Sequence, residues 1–393
     1  MATGANTEPK AFCGPPILQW PVAVARSAPP VPQNLKPLTS LRFFAALWVV
    51  VYHYWPNLQA SRPTFVDKGV LGVELFFVLS GFILSHIYLE KVRDGRFDYG
   101  AFLWARLARI YPLHIAIITG LIALLLCLAL AGIHAGDQVL IWPSLPAQLT
   151  LTQAWGLGTR GGWNYPAWSI SAEWFAYLAF PAFALAACRL WHRPRLAIGL
   201  AAALVVLAYS LFPAAAGFPL VHASIQWGAL RIVPSFALGC AIWLIWNADL
   251  ITSKATALAL AGLSVAALLA AVALGLPDSI SVMACAGLVL GLGAAARHGS
   301  RVLSHPILVH LGEISFALYM ISIPWQLVFT TGLQKMHWID PSHMPPRLWL
   351  LMVAGTVPMG LLCHHLIERP ARERMRRMRL GKPAPRLRLG TAE

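Results

Sequence analysis

The side chains in this sequence that could carry out chemistry are ionisable groups inside long apolar segments. Arg42 and His53 lie eleven positions apart in the first of these segments. In a helix of 3.6 residues per turn, the two side chains would lie within about 20° of the same face and roughly 16 Å apart along the axis. The spacing therefore predicts that both residues face one side of a common cavity. The histidine could act there as a general base.

Two carboxylates also lie inside apolar segments. Glu74 stands in the segment GVELFFVLSGF, and Glu173 stands in WSISAEWFAY. Because a carboxylate can fix the tautomer of a histidine and raise its basicity, either one could orient His53. A carboxylate without a partner would take up a proton in apolar surroundings, so we expect an arginine or histidine beside Glu74. The residues around the second carboxylate that could support it or contact a substrate are Trp168, Ser169 and Ser171.

Three further arginines are candidates for binding anions. Arg106 and Arg109 are three positions apart, which places them on one helical face. Two guanidinium groups in this arrangement suit a phosphate group, and they suit lipid headgroups equally well. Arg231 lies inside an apolar segment and needs an anionic partner, which could be the substrate or Glu173.

Motifs of several enzyme classes are missing from the sequence. The chain has no HExxH motif and no other histidine and carboxylate spacing typical of a metal site. It also lacks a GxSxG nucleophile motif, a P-loop and a GxGxxG motif between a strand and a helix. We therefore predict no metal and no permanently bound cofactor.

The composition indicates what must position these residues. Of the 393 residues, 58% are hydrophobic and only 11% are charged, against about 25% charged in ordinary soluble domains. The sequence therefore predicts an all-α, polytopic integral membrane protein. Ten segments are long enough, or nearly so, to form transmembrane helices: 41–55, 69–89, 110–132, 165–188, 196–212, 228–247, 255–275, 279–296, 308–330 and 348–367. The short apolar region 144–157 is interpreted as an interfacial or re-entrant piece.

The distribution of positive charge predicts the topology. With a cytoplasmic N-terminus and ten helices, 24 Lys and Arg residues fall on the cytoplasmic side and 5 on the opposite side. Both termini are therefore expected in the cytoplasm, and the net charge of +15 is explained without nucleic-acid binding. The predicted organisation is a disordered Pro-rich tail at 1–37, a transmembrane domain at 38–372 and a basic tail at 373–393 that is attracted to the lipid bilayer.

Six motifs in order resemble one family. They are LTSLRFFAALWVVVYHYW, GVELFFVLSGFIL, FLWARLARIYP, WSISAEWFAY, GEISFALYMIS and LIERPA. Together they resemble the successive motifs of the membrane-bound acyltransferase 3 family, bacterial O-acyltransferases of the inner membrane. The resemblance covers 38–372. It implies that Arg42 and His53 are needed for activity and that Arg106, Arg109 and the Trp-Ser-x-Ser-x-Glu motif belong to the site. One departure is Ser322, which stands where the family often has a histidine.

The resemblance also implies the substrates. Acyl-CoA, with acetyl-CoA as the expected donor, would place its phosphates near Arg42, Arg106 and Arg109 and extend its pantetheine arm towards His53. The expected acceptor is a sugar hydroxyl of a cell-surface or exported polysaccharide, which could be lipid-linked, and a periplasmic partner could assist. A small molecule such as a macrolide is the second acceptor. The alternative of a different class is a proton-coupled transporter, which would use intramembrane His and Glu as a relay.

Overall fold

The structure, a computed structural model, describes residues 35–380 apart from 131, 133–140, 158–161 and 340–343. This part of the chain contains fourteen α-helices and no strand, so the all-α prediction is confirmed. The helices are α1 (Lys36–Leu58), α2 (Thr64–Asp67), α3 (Leu71–Arg93), α4 (Tyr99–Leu130), α5 (Leu145–Thr150), α6 (Ala167–Leu178), α7 (Phe180–Arg189), α8 (Pro194–Ala216), α9 (Gly228–Asn247), α10 (Lys254–Ala273), α11 (Asp278–Arg297), α12 (Pro306–Lys335), α13 (Pro346–Cys363) and α14 (Arg369–Leu380).

The protein is a multi-pass membrane protein. Eight helical segments in the described chain are long and apolar enough to cross a bilayer: Thr64–Arg93, Tyr99–Leu130, Pro194–Ala216, Gly228–Asn247, Lys254–Ala273, Asp278–Arg297, Pro306–Lys335 and Pro346–Met378. The pair α6 and α7 makes a ninth if it is one span, bent by 55° at its break. These nine cover nine of the ten predicted segments.

The tenth predicted segment is α1, a continuous helix of 23 residues. It is long enough to span, but its arginine, histidine and other polar residues make it less apolar than the nine others. The region 144–157 forms only short pieces, α5 and an irregular turn at Gln153–Leu157, and neither is among the candidate spans. This agrees with the interfacial or re-entrant interpretation. The cytoplasmic location of both termini stays a prediction.

Helices α3 and α9 pack closely against each other. Gly81 on α3 and Gly239 on α9 face each other so closely that a Cβ atom on Gly81 would lie 2.1 Å from the Phe236 carbonyl oxygen. A Cβ atom on Gly239 would lie 2.2 Å from the Val78 carbonyl oxygen. Small residues at a helix crossing allow two backbones to approach in this way. The contact sets the register between the two helices that carry Glu74 and Arg231.

The start of α1 and the whole of α14 lie at the same end of the bundle, which we call the tail side. Thr39 near the start of α1 lines one cavity with Arg369 and Arg372 of α14. A π-helical turn at His364–Glu368 joins α13 to α14. Helix α14 continues to Leu380, across the predicted domain boundary at 372. The predicted tails 1–37 and 373–393 otherwise lie mostly outside the described residues.

Candidate active site

A narrow cavity of about 120 Å³ lies between α1, α3, α4, α6 and α12, and we call it the inner cavity. Arg42, Arg106 and Arg109 line it, together with one carboxylate among the described residues, Glu173. The sequence predicted that Arg42 on α1 would share a site with the arginine pair on α4, and the structure brings all three to the same cavity. Phe76 on α3 adds an aromatic face, 5.9 Å from the Arg42 guanidinium carbon to the ring centre.

In the described part of the chain, the three arginines of the inner cavity form no ion pair with a carboxylate. Within the described chain, none of them lies within 4.0 Å of a carboxylate oxygen. Arg106 donates a hydrogen bond of 3.5 Å to the Tyr88 hydroxyl, and its Nε is buried without a hydrogen-bond partner among the described residues. Clustered cations in a confined space repel each other and attract anions. The cavity therefore has the electrostatics of an anion-binding site.

Glu173 belongs to this cavity and does not touch His53. Its Oε1 accepts a hydrogen bond of 2.6 Å from the hydroxyl of Ser80 on α3. No hydrogen bond joins Glu173 or Glu74 to the His53 ring in the described structure. The prediction that one of these carboxylates orients His53 is therefore wrong for the state described. Glu173 instead lies near enough to Arg42 for their opposite charges to attract each other.

His53 lies towards the other end of α1, and aromatic rings surround it. The ring of Tyr165 packs edge-on against the imidazole at a centroid distance of 6.0 Å, and the ring of Tyr52 does so at 5.1 Å. Gln326 on α12 donates a hydrogen bond of 3.4 Å to the backbone carbonyl of His53. Because α1 is one unbroken helix, Arg42 and His53 keep the separation of roughly 16 Å that the sequence predicts.

A short polar connection relates the inner cavity to His53. Ser169 and Tyr319 both line the cavity, and both donate hydrogen bonds to the carbonyl of Pro166, at 3.0 and 3.1 Å. Pro166 directly follows Tyr165, whose ring contacts His53. Pro166, which is bonded to two residues of the cavity wall, is therefore next in sequence to the tyrosine that packs against His53.

Arg231 and Glu74 form a buried ion pair. The Nε of Arg231 lies 2.6 Å from Glu74 Oε1, and the two side chains are 2% and 0% exposed. Ser235 donates a hydrogen bond to Glu74 Oε2, and Arg231 also donates to the Ala223 carbonyl. The expectation of an arginine beside Glu74 is confirmed. Arg231 does not pair with Glu173, however, so the alternative in which it served that carboxylate is wrong.

The residues of the Trp-Ser-x-Ser-x-Glu motif have two kinds of environment. Ser169 and Glu173 line the inner cavity, whereas Trp168 and Ser171 contact other parts of the protein. Trp168 places its ring 4.8 Å from the guanidinium carbon of Arg231. The hydroxyl of Ser171 donates to the Leu151 carbonyl and accepts from the Ala154 N–H, which holds the irregular turn before α6 in place. Of the three neighbours of Glu173 named from the sequence, only Ser169 lines the inner cavity.

Ser322, the position at which the sequence departs from the family pattern, is buried among backbone partners. Its hydroxyl donates a hydrogen bond of 2.8 Å to the Tyr319 carbonyl, and its own carbonyl accepts one of 2.6 Å from Tyr54. Hydrogen bonds of this kind fix the local helix geometry. The contacts of Ser322 therefore support a role in helix packing.

Sequence reasoning missed a second cavity, of about 450 Å³, which we call the tail-side vestibule. It shares Arg42 and Arg109 with the inner cavity, so these two residues stand where the two spaces meet. Its other lining residues in the described chain are Thr39, Glu313, His364, Arg369 and Arg372. The available signal was the LIERPA motif, which contains Arg369. The sequence could not show that this motif folds back towards α1 and α4.

Comparison with known proteins gives a consistent assignment. Residues 37–365 match the family described as acyltransferase domain. The chain is 31% identical to acyltransferase MdmB of Streptomyces mycarofaciens, over 91% of this chain and 96% of that protein. It is 23% identical to O-acetyltransferase OatA of Staphylococcus aureus, over 87% of this chain and 58% of that protein. It is 36% identical to protein 2 in picA locus of Rhizobium radiobacter, over 26% of this chain and 51% of that protein. No solved structure matches the chain.

Proposed function

This chain belongs to the acyltransferase-domain family, and from that membership we propose that it moves an acyl group from cytoplasmic acyl-CoA to a hydroxyl group. One observation carries the choice of donor. Arg42, Arg106 and Arg109 line the inner cavity without a carboxylate partner in the described chain. An acyl-CoA donor would supply the missing anions as phosphate groups, which guanidinium groups bind in bidentate geometry.

The dimensions of α1 support this donor. The phosphates of acetyl-CoA would bind near Arg42 and Arg109, and the pantetheine arm would run through the inner cavity. Its reach is comparable to the separation of roughly 16 Å between Arg42 and His53 along the helix axis. The thioester would then lie close to the imidazole, where the chemistry takes place.

The proposed reaction uses His53 as the general base. The imidazole takes the proton from the acceptor hydroxyl as the oxygen attacks the thioester carbonyl carbon. The C–O bond forms, the C–S bond breaks, and the proton passes to the departing sulfur to give free CoA. In the two-step alternative, a ring nitrogen of His53 attacks the thioester carbonyl carbon, the C–S bond breaks, and the sulfur leaves with the ring proton as free CoA. The acceptor oxygen then attacks the acyl group, the bond from the ring nitrogen to the acyl carbon breaks, and the hydroxyl proton returns to the ring. Label retained on the protein without an acceptor would identify the second route.

The proposed acceptor is a sugar hydroxyl of a cell-surface or exported polysaccharide, reached from the side opposite the tail side. The name of the relative O-acetyltransferase OatA supports a hydroxyl acceptor. Exposed aromatic rings near His53 and in the loops on its side, those of Tyr165 and Trp142, could stack on sugar rings. We propose that the protein lies in the bacterial inner membrane and takes its acyl-CoA from the cytoplasm.

The test follows CoA release and acyl transfer from radiolabelled acetyl-CoA by purified protein in liposomes. A polysaccharide fragment and a macrolide serve as separate acceptors. We expect His53→Ala to lower the rate by about 100-fold or more, which is the usual contribution of a general base. His305→Ala is the matched control, because His305 is exposed and makes no capping hydrogen bond at the start of α12. Equal activity of folded wild type and His53→Ala would refute the mechanism.

A further inference from the structure

Positively charged side chains outnumber carboxylates at the tail-side vestibule. Four arginines line it, Arg42, Arg109, Arg369 and Arg372, and Glu313 is the one carboxylate among its described lining residues. Glu368 and Glu373 lie just outside this lining and pair with Arg372 and Arg369, which leaves Arg42 and Arg109 without an ion pair in the described chain. Glu313 is itself engaged with His310, 3.4 Å from its Nδ1. A cavity with this balance favours a ligand that carries several negative charges.

The fold holds Arg372 in place at the vestibule. Glu368 is 2% exposed and accepts hydrogen bonds from Arg372, at 3.5 Å, and from His364 Nδ1, at 2.9 Å. Trp104 on α4 donates a hydrogen bond of 2.8 Å to the Met375 carbonyl, which fastens α14 against α4. Arg372 is therefore a positioned group, and α14 is attached to the helix that carries Arg109.

We propose that Arg369 and Arg372 bind the 3′-phosphate of the acyl donor while Arg42 and Arg109 bind its diphosphate. The inference rests on the proposed function, because it assigns a second phosphate subsite to the same donor. Coenzyme A has two separate phosphate positions, and the structure has two pairs of arginines on one vestibule. The pair that also lines the inner cavity suits the diphosphate, because the pantetheine arm continues from that group into the cavity.

Phosphate groups of anionic lipids are the competing source of the same chemistry. The position of the pair favours the donor, since Arg369 and Arg372 line a space that is shared with Arg42. Arg374 of the same helix is exposed and does not line the vestibule, so headgroups can reach it outside that space. Arg374 therefore offers a matched control for charge on α14.

The test measures equilibrium binding of acetyl-CoA and of its 3′-dephospho analogue to the full-length protein. The protein is measured in liposomes of phosphatidylcholine alone and in liposomes of phosphatidylcholine with phosphatidylglycerol, so that the effect of an anionic lipid on binding is seen. We expect the wild type to prefer acetyl-CoA by about tenfold, as suits one lost charge-assisted contact. Arg372→Gln should remove most of this preference and leave the affinity for the dephospho analogue unchanged. Arg369→Gln should act in the same direction, and Arg374→Gln should leave the preference as in the wild type.

The outcomes distinguish failure of the 3′-phosphate subsite from failure of the proposed function. If the wild type binds both compounds equally well, or Arg372→Gln keeps the full preference, the 3′-phosphate subsite is refuted and the proposed function stands. If the substitution changes only the response to phosphatidylglycerol, the arginines bind lipid and the inference is also refuted. If the folded wild type binds neither compound, the proposed function fails. Arg369→Gln is a second variant for the same test. In the described chain Arg369 forms an ion pair with the half-exposed Glu373 alone, so its loss should leave the fold intact.

Discussion

Arg42 and Arg109 come from different helices, α1 and α4, and both line the inner cavity and the tail-side vestibule. They therefore stand at the junction of the two spaces, and each helix contributes one guanidinium. An anionic substrate that occupied both spaces would have a guanidinium group from each helix beside it. This position distinguishes them from Arg106, which lines only the inner cavity.

Removing one guanidinium at the junction should weaken donor binding. We expect Arg109→Ala to raise the KM for acetyl-CoA by about tenfold, because a charge-assisted contact to phosphate is lost. The measurement is the initial rate of CoA release as a function of acetyl-CoA concentration. Arg96→Ala is the control, since Arg96 pairs with Asp94 on an exposed turn and lines neither cavity. An unchanged KM in Arg109→Ala would assign the residue to lipid anchoring.

The ring of Tyr165 should position the His53 imidazole. Its edge-on contact at 6.0 Å depends on the ring, whereas its hydroxyl donates a hydrogen bond to Ser224, its one hydrogen-bond partner among the described residues. We expect Tyr165→Ala to lower kcat by about tenfold, because misplacement of a catalytic group slows the reaction. The KM for acetyl-CoA should change little. Tyr165→Phe keeps the ring and should retain most of the activity; equal losses in both variants would show that the hydroxyl matters instead.

Breaking the buried ion pair should destabilise the protein. Arg231→Ala leaves the Glu74 carboxylate buried without its cation, for which we expect a loss of about 3–5 kcal/mol in the free energy of unfolding. The check is thermal unfolding of the purified protein in detergent. The double variant Glu74→Gln with Arg231→Met removes both charges and should recover part of the loss. A single variant as stable as the wild type would contradict the structural role of the pair.

The contact between α3 and α9 should tolerate no added methyl group at its centre. Gly239→Ala would put a Cβ atom about 2.2 Å from the Val78 carbonyl oxygen, so the helices would have to separate. We expect a lower unfolding temperature and a smaller folded fraction on size-exclusion chromatography. Gly262→Ala is the matched control, because a Cβ atom there meets nothing within 4 Å. Equal behaviour of the two variants would show that the helices can adjust without cost.

Local sequence patterns determined the positions of the helices and which residues share a helix face. The apolar segments identified the helices, because backbone groups in a bilayer must be satisfied within the segment itself. The eleven-residue spacing of Arg42 and His53 determined their common face, because that relation depends only on the geometry of one helix. The three-residue spacing of Arg106 and Arg109 did the same for the α4 pair.

Only the tertiary structure decided which groups meet. From the sequence, either Glu74 or Glu173 could have oriented His53, and Glu173 was the carboxylate expected beside Arg231. The actual partners depended on how the helices rotate and pack against each other. The glycine contact between α3 and α9 sets that rotation and brings Arg231 to Glu74, which leaves Glu173 facing the arginines of the inner cavity. Placement of α14 against α4 was likewise beyond the sequence, since contacts between distant segments depend on packing that no local periodicity encodes.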